Sequence, residues 1–360
     1  MAAIWNCAPT RRKHVSGSAP IQTVTAADFV WPSRDSTNSK LDVASLARNS
    51  RIVWRVIAAM SVATIVAYRA AGLSFAWLSN INIFLCVLIF LAVSCCYRWL
   101  RPDPWISFGT EACAQLTLVL SLGIAISYPL AAAGFPYCDA LLNGADRWMR
   151  LDWRSYLHFI NDHETLAVLT WLAYRSMLFQ FTILVLVLVG ASRIARLQQY
   201  VLATALALFL TLAVFTFMPA GGIYSFLQIE PAEFANLSPI MTHNQTSLLD
   251  ALRTGQQTLV DDMQGLITFP SFHAVWAILF AWGFYPVKQV RVGAIMLNLF
   301  VIASTPIQGA HYFIDIVGGA AVAGIAIYAA TRLTRAATGN AMEHAPSQRE
   351  DPDLRRAGVR

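Results

Sequence analysis

Apolar runs of about 20 residues recur along most of this chain, and that feature restricts its fold more than any other. Continuous runs of that length are the mark of membrane-spanning helices. Only 13% of the residues are charged, where a soluble domain carries about a quarter, and the mean hydropathy is +0.52. Eight spans are predicted, near 52–72, 76–100, 112–134, 165–190, 199–218, 271–286, 291–307 and 312–331. The fold class is therefore an all-α polytopic membrane protein.

Charge supplies the topology. The net charge of +6 and the pI near 9.1 might point to nucleic acid, but the basic residues collect at the ends of apolar runs and in the two tails. That is the pattern of topology determinants, and no nucleic-acid partner is expected. With eight spans, the basic tails and the loops holding Arg98, Arg101, Arg193, Arg196, Lys288 and Arg291 share one side, read as cytoplasmic together with both termini. The other side receives Arg147, Arg150 and Arg154 in one loop and Arg253 in another. This arrangement puts Thr268–His273 and Gly309–His311 on the same, extracytoplasmic face.

Residues 1–51 are polar, basic and Ser/Thr-rich, without the apolar core of a secretory signal. A disordered cytoplasmic tail is expected there, then one transmembrane catalytic domain at 52–335 (core about 110–331), then a disordered tail at 336–360. The six cysteines form no disulfide or zinc framework. Two long loops lie on the extracytoplasmic side. Residues 135–164 mix Trp, Tyr and Arg with apolar residues at helical spacing, as in an amphipathic helix at headgroup depth. It reads either as an anchoring lid or as the wall of a lipid entrance, and His158 and His163 within it are expected to be solvated. Residues 219–267 are too long for a bare connection and are expected to be functional or partly helical.

Two short segments carry chemistry. In G-A-H-Y-F-I-D (309–315), His311 and Asp315 are four apart at the head of an apolar helix and share a face. A carboxylate on one imidazole nitrogen fixes the tautomer and frees the other nitrogen as a nucleophile. The alternative is a His–Asp bond that only locks helices. In T-F-P-S-F-H-A (268–274), Pro270 precedes a helix start, and the amides of Ser271, Phe272 and His273 with the Ser271 hydroxyl make an anion site. His273 alone could be an interfacial residue; a second histidine on the same face favours a joint role.

P-S-F-H-A (270–274) followed by H-Y-F-I-D (311–315) resembles the type 2 phosphatidic acid phosphatase superfamily, and within it the branch containing inositol phosphorylceramide synthases and bacterial integral-membrane relatives. The resemblance covers about 110–331. It implies a six-helix core, with the first two spans as an addition, and a site at the extracytoplasmic helix ends. It implies that His311 is the nucleophile of a phosphohistidine intermediate, that Asp315 orients it, and that His273 protonates the leaving oxygen and later activates the acceptor. No metal or cofactor is implied. The chain departs from the family pattern where a phosphate-clamping arginine is usual, since Ser304-Thr305 stands there. Arg253, upstream in the second outer loop, and Arg175, inside a span in A-Y-R-S (173–176), are the candidate substitutes, with Arg253 preferred.

The resulting expectation is a lipid phosphatase or phospholipid head-group phosphotransferase in a bacterial inner membrane, with its site facing the periplasm. Its partners are a lipid phosphate or phospholipid and the surrounding membrane lipids; oligomeric state is open. A transporter or channel using His273, His311 and Asp315 as a relay is the alternative, disfavoured by the missing repeat and by polar residues confined to helix ends. A metal held by the same three residues is a third reading.

Overall fold

The structure, a computed structural model, describes residues 43–237, 239, 244–261 and 263–343. It is built of helices: α1 (Val43–Ala71), α2 (Ile81–Cys95, prolonged by a wider turn to Leu100), α3 (Pro104–Ala132), α4 (Asp139–Trp148), α5 (Trp153–Asn161), α6 (Glu164–Gly190), α7 (Ile194–Phe217), α8 (Ile223–Phe226), α9 (Asn244–Arg253), α10 (Phe272–Phe284), α11 (Lys288–Gln308) and α12 (Phe313–Glu343). Among the described residues, α1, α2, α3, α6, α7, α11 and α12 are long and apolar enough to cross a membrane. The shorter α10 is the remaining expected span. With 13 residues it covers about 20 Å, and it lies at the centre of the bundle against α6, α7, α11 and α12.

The two span starts that differ most from the expectation do so for one reason. α1 begins at Val43 and α3 at Pro104, each well before its purely apolar stretch. Asp103 caps α3 by accepting from the amides of Trp105 and Ile106, with proline in the first turn. The polar turns that hydropathy excluded are paired across helices. Buried Glu111 of α3 accepts from Ser50 Oγ at 2.7 Å and Trp54 Nε1 at 2.8 Å of α1, and from Arg98 at 2.8 Å. An ion pair satisfied in this way removes the cost of a lone carboxylate at membrane depth. α1 and α2 pack mainly on α3, so they flank a core of α3, α6, α7, α10, α11 and α12. Of the expected tails, residues 43–51 form the first turns of α1 and 336–343 continue α12, while 1–42 and 344–360 lie outside the described residues.

The loop at 135–164 is α4 and α5, and their inward face is not purely apolar: Asp139 and Asp146 are buried with Leu142, Trp153, Leu157 and Ile160. Its histidines are partly or fully exposed, as expected, and each also has a partner. His158 Nε2 lies 3.6 Å from Glu233 and His163 Nδ1 2.7 Å from the Phe159 carbonyl. The loop at 219–267 holds α8, a 3-10 turn at Pro231–Phe234, α9 and a two-residue strand, Leu259–Val260, that pairs in parallel with Ser74–Phe75.

Candidate active site

The joint between α11 and α12 carries His311. Ala310 is left-handed at φ 56°, and the His311 N–H closes on the Pro306 carbonyl at 3.2 Å, the six-to-one bond of a Schellman helix end. Alanine in place of glycine at such a position costs about 1–2 kcal/mol. Gly309 beside it cannot carry a side chain: a Cβ would meet Tyr174 Oη and His311 Cδ2, each at 2.8 Å.

The first turn of α12 has free amides that Tyr312, at its N-cap position, has no side chain to satisfy. Asp315 accepts from the Tyr312 amide at 3.0 Å, and Asp146 of α4 accepts from the Phe313 and Ile314 amides at 2.9 and 2.8 Å. Asp139, two turns before Asp146, accepts from the amides of Gly221 and Gly222 and from Tyr312 Oη at 2.7 Å. The carboxylates of α4 thus fasten both the His311 joint and the loop after α7. The backbone carbonyl of His311 in turn accepts from Trp153 Nε1 at 3.2 Å.

The second histidine is placed by the start of α10. Ser271 is its N-cap and accepts from the Ala274 amide through Oγ at 3.3 Å. The Ser271 amide donates to the Asp315 carbonyl at 3.0 Å, so it is engaged in joining α10 to α12 rather than free for an anion. Phe272 borders the cavity described below. α12 comes this close because Gly319 faces the serine, where a Cβ would stand 2.5 Å from the Ser271 carbonyl.

These elements bring His273, His311 and Asp315 together. Asp315 Oδ2 lies 3.1 Å from His311 Nδ1, His311 Nε2 lies 3.3 Å from His273 Nδ1, and His273 Nε2 lies 2.8 Å from Tyr174 Oη. With neutral rings, one polarity satisfies the whole chain. Asp315 accepts from His311 Nδ1–H, His311 Nε2 accepts from His273 Nδ1–H, and His273 Nε2 accepts from the tyrosine O–H. Burial favours the neutral ring, pushing the His311 imidazole down to about 4 against a smaller upward pull from the Thr268 carbonyl. The arrangement presents a lone pair on His311 Nε2 opposite a proton on His273 Nδ1.

Both histidines border a cavity of about 210 Å³ whose walls are largely apolar, from Ile124, Leu208, Leu266, Ile267 and Trp276 among others. Among the described residues, no lysine or arginine lines it. Arg253 instead donates to the Phe135 carbonyl at 2.8 Å and stacks 3.6 Å over the Tyr137 ring. Arg175 is exposed on the outside of α6, 4.7 Å over Trp171. The structure therefore brings neither candidate clamp to the histidines. Ser304 and Thr305, at the position of the missing arginine, turn their hydroxyls back to the Val301 carbonyl.

Sequence reasoning passed over three residues of this assembly. Tyr174 adjoins Arg175, and successive helical side chains point about 100° apart; the tyrosine faces the site and the arginine does not. Asp139 and Asp146 left a readable trace, since together with Leu142 they occupy i, i+3 and i+7 on the apolar side of an amphipathic helix. Among the described residues, no group of three or more His, Cys, Asp or Glu is arranged to hold a metal ion.

A family model described as PAP2 superfamily matches residues 140–329, slightly more than half of the 360-residue chain, and takes in α4 from its second residue, both histidines and Asp315. No curated protein and no solved structure matches the chain.

Proposed function

The chain belongs to the PAP2 superfamily, whose members are phosphatase-type enzymes, and on that premise we propose that it is a membrane-embedded lipid phosphatase or phospholipid head-group phosphotransferase working through a phosphohistidine. The observation that carries this reading is the hydrogen-bonded chain Tyr174–His273–His311–Asp315 at the edge of an apolar cavity. His311 Nε2 attacks phosphorus, forming an N–P bond as the P–O bond to the leaving group breaks. The negative charge of the bound phosphate draws His273 into its imidazolium form, whose Nδ1–H delivers its proton to the departing oxygen and leaves a neutral ring. In the second half, His273 takes a proton from water or an alcohol, and that oxygen displaces His311. Asp315 keeps the His311 proton on Nδ1 and steadies the ring while positive charge develops. The 3.3 Å contact between the histidines opens to admit phosphorus.

The cavity's charge separates the two outcomes. A phosphomonoester brings nearly two negative charges, and among the described residues no lysine or arginine on the walls offsets them. A phosphodiester brings one. The site therefore suits a phospholipid diester and transfer of its head group, in keeping with the branch that includes inositol phosphorylceramide synthases. The site faces the extracytoplasmic side of a bacterial inner membrane in this reading, because the loops bearing it are poor in lysine and arginine.

The test is turnover by purified protein in detergent on paired lipid monoesters and diesters, with and without an alcohol acceptor. Inorganic phosphate and new lipid products are both followed. New lipid from a diester is expected; release of phosphate alone would make the enzyme a phosphatase. Absence of either product across the panel would overturn the reading and favour transport through the same residues.

Tyr174 is a positioning residue in this scheme. Tyr174→Phe retains the ring 4.8 Å from His273 but loses the bond to Nε2. A fall in kcat of about fivefold is expected, with KM little changed, since one hydrogen bond of about 1 kcal/mol is lost where the proton is handled. Steady-state kinetics decide it: kcat equal to the parent's removes Tyr174 from the mechanism.

A further inference from the structure

A second concavity, with no residue in common with the histidine cavity, opens over α4 and α5. It encloses about 700 Å³ and includes Arg147, Arg150, Arg154 and Asp152, with Trp153 as its buried floor. Three arginines within residues 147–154 are unusual here, because the other loop on this side has Arg253 alone and that side chain is held by Phe135 and Tyr137. Their partners are unequal. Arg154 is fixed by Glu233 at 3.1 Å and by the Leu227 carbonyl at 3.0 Å, and the Asp152 carboxylate accepts from Ser155 Oγ at 2.6 Å and the Arg154 amide at 3.1 Å. Arg147 and Arg150 make no side-chain hydrogen bond or ion pair among the described residues. Two guanidinium groups thus line the groove without a direct ion-pair partner, beside the one Asp152 carboxylate, each with a planar fork that matches phosphate oxygens.

We infer that this groove binds the phosphate of an anionic phospholipid headgroup, separately from the histidine cavity. Lipid is favoured over a free anion by what surrounds the arginines. Trp148 is 86% exposed, and Leu141 and Phe159 on the same two helices and Leu151 in the turn between them are exposed as well. An arginine cluster framed by a bare tryptophan and apolar side chains belongs at the boundary between headgroups and acyl chains. The groove is also one side chain from the His311 joint, since its floor, Trp153, donates to the His311 carbonyl. Binding at this groove is independent of the reaction at the histidines and is read out without turnover.

The experiment titrates full-length protein in detergent with short-chain phosphatidylglycerol and follows occupancy by native mass spectrometry. Phosphatidylcholine and inorganic phosphate at matched ionic strength serve as competitors. Phosphatidylglycerol is expected to bind without displacement by either. R147Q/R150Q should weaken it about 25-fold, from roughly fivefold for each surface arginine, and each single variant about fivefold. Because both side chains are exposed, unchanged melting is expected; if the double variant does not fold, the single variants decide. Displacement by inorganic phosphate would keep the phosphate site and identify its source as soluble. Affinity for phosphatidylglycerol unchanged by the substitutions, or equal for phosphatidylcholine, would overturn the inference.

Discussion

His311→Ala is expected to lower kcat by on the order of 10⁴-fold or more, and to abolish any acid-labile phosphoenzyme trapped with labelled substrate. The size follows from the role: without the imidazole there is no nucleophile, and the direct displacement that is left lacks the split into two easier steps. The backbone of the joint depends little on this side chain. Its Schellman bond to Pro306 and its bond from Trp153 use only main-chain atoms of residue 311. Two side-chain bonds are lost, those to His273 and Asp315, and together they account for about 2 kcal/mol of stability. The variant should therefore fold, with a modest fall in melting temperature set against near-total loss of turnover. A folded His311→Ala protein that turned over at the parental rate would remove His311 from the chemistry and leave the His–Asp pair as a helix lock.

Asp146→Ala is expected to carry the largest stability loss away from the histidines, about 4 kcal/mol. It leaves the amides of Phe313 and Ile314 without the acceptors that now lie at 2.9 and 2.8 Å, at a cost of about 1–3 kcal/mol each. A fall in melting temperature of roughly 10 °C follows from that figure. Activity should fall as well, because the same turn of α12 holds Asp315 against His311. Asp146→Asn separates packing from bonding: it fills the space and accepts from one amide, but sets an N–H against the other. About half of the alanine effect is expected from it. Differential scanning calorimetry beside kcat checks both. Parental melting and parental turnover in Asp146→Ala would mean that α4 does not hold the joint.

The spans were legible because hydropathy is a sum over neighbours in the chain and needs no partner. Their ends were less so. The polar first turns of α1 and α3 look unfit for a membrane until Ser50, Trp54 and Arg98 are seen converging on Glu111. The two histidine segments could be read together because charge sidedness put them on one face and their spacing resembles a known motif.

The missing clamp shows the limit of that reasoning. A lone arginine in a loop and another inside a span were both reasonable by composition, yet each rests on an aromatic ring away from the cavity. Composition shows which residues are charged; it does not show where a side chain points, and one step along α6 exchanges Arg175 for Tyr174. Asp139 and Asp146 mark a further limit, since their partners are backbone amides at 221–222 and 313–314, far away in sequence and brought near only when α4 folds over the bundle.

By itself, then, the sequence determined a bundle of apolar helices and a histidine at the head of each of two helices, because burial in lipid and helical spacing act locally. Only the tertiary structure decided which groups touch those histidines. A hydrogen bond depends on about 3 Å between atoms contributed by distant helices, and that distance is set by how they pack.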